Sequence, residues 1–104
     1  MAYKLIVTEH ADDLLDNILN YLIYQLKNKQ AAKHLLDEID NVYDCLEENP
    51  LQFPLSRDTY LANKGYREAV VEQMNYTIVF SIKADNVNIA GIFHQLESYQ
   101  KKIW

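Results

Sequence analysis

This chain has almost no structural punctuation. Two glycines, two prolines and one cysteine are spread over 104 residues. So little glycine and proline excludes a low-complexity or collagen-like chain. With 49% hydrophobic residues it is not a disordered one either. The single cysteine, Cys45, excludes an internal disulfide and fits a reducing compartment. No apolar run approaches the roughly 20 residues of a membrane helix. The opening "MAYKLIVTEHADD" has no basic stretch ahead of an apolar one, so no secretory signal is expected. There is no glycine-rich phosphate loop. His10 and His34 have no second His or Cys at metal-ligand spacing, and His34 with Asp37 or Glu38 reads as a helix-surface pair. The expectation is one cytoplasmic domain over residues 1–104, with no cofactor and no metal.

Positive charge is scarce and unevenly placed. Ten Lys and Arg stand against 15 Asp and Glu, a net charge of −5. Residues 9–48 hold ten of the acids against Lys27, Lys29 and Lys33, while the remainder is slightly basic. An acidic surface repels phosphate, which argues against a large nucleic-acid footprint but leaves room for a small basic site elsewhere. Cys45 sits among Asp44, Glu47 and Glu48, which oppose a thiolate, so it reads as a buried filler and not a nucleophile.

The patterning that is present predicts an α+β domain. "YKLIVT" (3–8) has the β-rich look of a strand. Thr8 can cap a helix over about 9–27, whose apolar positions include Leu14, Leu15, Ile18, Leu22 and Leu26. A polar break, "KNKQ", precedes a second stripe through Ala32, Leu35, Leu36, Ile39, Val42, Tyr43 and Leu46. Asn49-Pro50 ends it. So short a break predicts an antiparallel helix hairpin. Residues 50–64 read as an irregular loop packing Leu51, Phe53 and Leu55 on the domain.

"YREAVVE", "YTIVFSI" and "VNIAGIFH" then read as a three-stranded meander. Strict alternation sends Tyr76, Ile78, Phe80, Ile82, Val87, Ile89, Gly91 and Phe93 under the hairpin. It leaves Thr77, Val79, Ser81, Asn88, Ala90, Ile92 and His94 on a barer face. The first meander strand alternates too poorly to orient Arg67. The N-terminal strand can join either edge of the meander. The whole is β-α-α-β-β-β, a small antiparallel meander sheet with a helix hairpin packed on one face.

This order resembles the RelE/ParE superfamily of toxins from bacterial type II toxin–antitoxin modules, the plasmid stabilisation family. The residues that carry the resemblance are "YKLIVTEHADDLLDNILNYL", "LEENPLQFPLS", "GYREAVV", "NYTIVFSI" and "IAGIFHQLESYQKKI". It implies a growth-inhibiting toxin neutralised by a cognate antitoxin whose C-terminal segment wraps it, beside the meander or the hairpin. It implies one of two mechanisms. The ParE-like branch poisons DNA gyrase. The RelE-like branch cuts mRNA in the ribosomal A site without a metal. A third possibility is an inactive paralogue that only binds its antitoxin.

The resemblance also supplies candidate catalytic residues. Metal-free RNA cleavage needs a base at the ribose 2′-OH, an acid at the leaving oxygen, and cations for the phosphorane. Arg67 matches the arginine often found in the first meander strand, His94 the residue ending the last strand, and Tyr99 the tyrosine of the tail. Each also has a plainer reading: Arg67 in a surface ion pair, His94 bonded to backbone at a strand end, Tyr99 covering the sheet edge. Departures weaken the set. Thr77 stands where relatives carry an arginine, and "HQLES" puts Gln95 and Glu97 where they carry basic residues. A site stripped of these cations is a poor nuclease. The tail residues Lys101, Lys102 and Trp104 read as a solvated basic end.

Overall fold

The computed structural model describes residues 3–71 and 74–94. Among the described residues four strands and three α-helices follow one another along the chain: β1 (Lys4–Val7), α1 (Glu9–Asn20), α2 (Lys29–Glu48), α3 (Thr59–Asn63), β2 (Arg67–Val71), β3 (Tyr76–Lys83) and β4 (Asn86–His94). The sheet order is β1-β4-β3-β2. β2, β3 and β4 form the antiparallel meander, and β1 joins it beside β4, in parallel, which makes the sheet mixed. Of the two edges open to the N-terminal strand, β4 is the one used. Among the described residues no helix is long and apolar enough to cross a membrane.

Local chemistry explains the hairpin. The Thr8 hydroxyl accepts from the Ala11 N–H and donates to the Ile89 carbonyl, so one side chain caps α1 and ties it to β4. The first helix does not run on to residue 27. After Asn20 it widens into a π-helical turn over Tyr21–Gln25. Lys27 then takes a positive φ of 50°, and Asn28 caps α2 through the Ala31 N–H. Leu22, Leu35, Ile39 and Leu46 are buried against Ala69, Ile78, Phe80, Val87 and Ile89, as their spacing predicts. Leu15 and Ile18 are only half-buried at the margin of this core. Cys45 is exposed on α2, not buried.

The barer sheet face is not bare. Strict alternation fails in β4, because Val79 pairs with Gly91 while Phe80 pairs with Ile89. Ala90 is therefore an extra residue, a β-bulge, and it inverts the phase of everything after it. Ile92 and His94 share the hairpin face with Ile78 and Tyr76, and Phe93 turns away from it. Phe93 joins Val79 and Leu61 in a second buried cluster on the opposite face. The lid over that cluster is α3, from the stretch expected to be irregular. Leu61 is fully buried there, whereas Leu51 and Leu55 are exposed and Phe53 alone packs inward, edge-on to Phe80. Gly91 has a packing reason to be glycine. A Cβ there would lie 2.6 Å from the Phe93 ring and 3.0 Å from the Leu14 methyl.

Tyr43, half-buried on α2, makes the hairpin sensitive to alkali. Burial, then the carboxylates of Asp12 and Asp40, push its hydroxyl up from 10.0 to about 12. In the unfolded chain it loses its proton at lower pH. Its contribution is thus fully present below pH 10 and is lost as pH rises through about 12. With part of the ring solvated, roughly 1–2 kcal/mol should disappear across that window. Urea midpoints at pH 9 and pH 11.5 should differ less in Tyr43→Phe than in the parent; equal slopes would show the hydroxyl to be uninvolved.

Candidate functional site

The structure places Arg67 and His94 on the same face but not together. Arg67 pairs with Phe80 at one end of the meander, and His94 pairs with Tyr76 at the other. Four residue steps and two strand spacings separate them, about 16 Å. The Arg67 guanidinium donates to the Phe53 carbonyl at 2.6 Å, which pins the 50–56 segment to the edge strand. Tyr99, with Gln95, Glu97 and the lysines of the tail, lies outside the described residues.

His94 stands in a cleft of about 240 Å³ between the start of the hairpin and the end of β4, with Leu14, Ile18, Tyr21, Tyr76 and Ile92 among its lining residues. Its ring meets the Tyr76 ring edge-on, 5.6 Å between centroids. Among the described residues no lysine or arginine lines this cleft. A phosphorane forming beside His94 would meet an apolar wall there. Thr77, at the position where the resemblance suggests an arginine, is fully buried between Val70 and Phe93. Its hydroxyl has no hydrogen-bond partner among the described residues. That position is buried on the sheet face shared with Phe93 and is not an open surface.

Sequence reasoning missed the polar knot on the other side. Glu68, only 3% exposed, accepts from the Ser56 hydroxyl at 2.6 Å, the Arg57 N–H at 3.0 Å and the Arg57 Nε at 3.3 Å. Glu68, the neighbour of Arg67, therefore pairs with Arg57 instead. Ser56 in turn accepts from the Asp58 N–H, and Asp58 caps α3 through the Leu61 N–H. The "SRD" triplet ahead of "TYLAN" was the available signal, since Ser and Asp in tandem favour a cap.

Next to this knot the sheet has an open edge. β2 is the last strand in the order. Its outer side is covered at one end, where Leu55 bridges Arg67, the Glu68 N–H donates to the Pro54 carbonyl and the Ser56 N–H donates to the Tyr66 carbonyl; among the described residues the Val70 end is left open. Val70 and Leu55 are exposed along it. A cleft of about 380 Å³ lined by Phe53, Pro54, Leu55, Arg57, Glu68 and Val70 runs beside it. At the Val70 end, unpaired backbone beside an apolar recess is chemistry that can accept a short extended peptide.

These features define a small α+β domain with a mixed four-stranded sheet and a partly open strand edge. The chain belongs to the ParE toxin family, described as ParE toxin of type II toxin-antitoxin system, parDE, which matches residues 5–99. Among solved structures it is similar to a chain of the chromosomal ParDE TA system from P. aeruginosa, with TM-score 0.73 and 20% identity over 89% of this chain and 96% of that one. It is also similar to a chain of the RelBE2 toxin-antitoxin complex from Mycobacterium tuberculosis, with TM-score 0.57 and 19% identity over 90% of this chain and 99% of that one. At these identities both likenesses concern the fold. No curated sequence relative matches the chain.

Proposed function

We propose that this protein is a cytoplasmic toxin that arrests growth by binding a macromolecular target, with DNA gyrase the leading candidate, and that a cognate antitoxin neutralises it. The observation that carries the binding reading is the cleft around His94, which has no cation among the described residues. A nuclease needs several positive groups converging on one phosphate. Here the nearest candidate, Arg67, lies at the far end of the meander and is engaged with the Phe53 carbonyl. The antitoxin reading rests on family membership, and of the two expected places, beside the meander or beside the hairpin, the part-open β2 edge with its apolar cleft favours the first.

The test is induced expression without the antitoxin. His94→Gln and the Arg67→Ala, His94→Gln double variant should both arrest growth as the parent does. Gyrase-linked DNA breaks, without site-specific mRNA cuts, should accompany the arrest, and co-expressed antitoxin should relieve it. Melting curves report whether Arg67→Ala keeps the fold, and His94→Gln alone decides the matter if it does not. Ribosome-dependent mRNA cuts that vanish in His94→Gln would replace this reading with the endoribonuclease one. Absence of arrest by the parent would favour an inactive antitoxin-binding paralogue.

A further inference from the structure

We propose that the tip of the helix hairpin is the surface by which this toxin grips its target, and that the surface it grips is an acidic protein patch with a recess for the Tyr24 ring. The inference rests on the binding reading above and supplies the part of the molecule that does the binding.

Four observations meet at this tip. The first is apolar exposure. Tyr24 is 71% exposed, Leu26 54% and Tyr21 52%, three of the four largest values among the exposed large hydrophobic residues described. Exposed aromatic side chains of this kind are the anchors that dominate protein interfaces. The second is the π-helical turn at Tyr21–Gln25. One extra residue per turn rotates Tyr24 off the buried stripe, and such turns recur at functional sites. Third, Ile23, Tyr24, Lys27, Asn28, Lys29 and Gln30 enclose an open cleft of about 540 Å³, room for a partner's side chain.

Charge is the fourth. Residues 17–36 hold Lys27, Lys29 and Lys33 and no carboxylate, while the ten acids of residues 9–48 all fall in 9–16 and 37–48. The hairpin is therefore cationic at its tip and anionic along its stem. Among the described residues none of the three lysines forms a salt bridge. An acidic surface is drawn to the tip and repelled by the stem, which fixes both where and how it docks. A nucleic-acid strand would run past the tip onto the carboxylates of the stem, which disfavours it. A compact acidic protein patch meets only the tip. The tip is also separate from the β2 edge, so antitoxin binding and target binding use different residues.

Tyr24→Ala, Lys27→Glu/Lys29→Glu and the milder Lys27→Gln/Lys29→Gln decide it. All of these side chains are exposed, so the variants should keep the parent's melting temperature and its affinity for the antitoxin. Inhibition of supercoiling by purified gyrase, and growth arrest on induction, should fall by about tenfold or more in Tyr24→Ala and in the charge reversal. The glutamine pair should lie between. Parent arrest that persists undiminished in these variants would overturn this inference alone. Absence of arrest by the parent would overturn the toxin reading and this inference with it. If the parent instead binds the single-stranded oligonucleotide dT20 with strong salt dependence, and the charge reversal abolishes that binding, the tip contacts nucleic acid and the protein partner is wrong.

Discussion

Phe80→Ala is expected to cost about 3–5 kcal/mol. Phe80 is fully buried in the cluster that joins the hairpin to the sheet. It pairs with Arg67 on one side and Ile89 on the other, at the bulge. Its ring takes Phe53 edge-on, 6.0 Å between centroids and 87° between planes. Removing the ring leaves a cavity between two rigid layers that cannot collapse into it. The neighbours that lose contact include Phe53, whose carbonyl holds Arg67. The 50–56 segment should loosen along with the core. Domains of this size have about 5–15 kcal/mol in total, so the variant should sit near its unfolding threshold. A urea titration reads the loss directly. Ile18→Ala, at the half-buried margin, should cost clearly less. A Phe80→Ala cost under about 1 kcal/mol would mean that the two layers are not packed through this residue.

Glu68→Ala is expected to cost about 2–4 kcal/mol and to free the α3 lid. The ion pair itself contributes little, because Arg57 is 67% exposed and solvent screens it. The larger loss lies with the buried partners. Ser56 and the Arg57 N–H both point at the Glu68 carboxylate, and without it they face an apolar gap. Ser56 also accepts from the Asp58 N–H, and Asp58 caps α3. Loosening one therefore reaches Leu61 and the cluster it closes with Val79 and Phe93. Amide exchange at Leu61 should rise by orders of magnitude in Glu68→Ala and barely change in Arg57→Ala. Unchanged exchange together with a cost under about 0.5 kcal/mol would reduce the knot to surface decoration.

Much of the fold was legible in the residues. The hairpin followed from the 3–4 spacing of Leu22, Leu35, Ile39 and Leu46, and its first cap from Thr8. The meander followed from β-branched runs with short turns. These are local signals, in which each side chain declares its own face. The π-helical turn was not legible, because Tyr21–Gln25 continues the same apolar spacing and one inserted residue leaves no compositional trace. The α3 lid is not legible, because five helical residues are too few to show a period.

The candidate site was less legible, for a different reason. Arg67 and His94 were recognisable as residue types at suggestive positions, but their separation depends on pairing register, which is a relation between strands. One bulge at Ala90 moved His94 and Ile92 to the hairpin face and Phe93 to the other. Because side chains alternate with a period of two, a single extra residue reverses every later assignment. The choice of β4 as neighbour of β1 was likewise open, since both meander edges offered the same backbone groups. The sequence by itself determined the two long helices, the four extended segments and their apolar stripes. Only the tertiary structure decided which side chains share a surface, because register, bulge and lid are set by packing between segments distant in the chain.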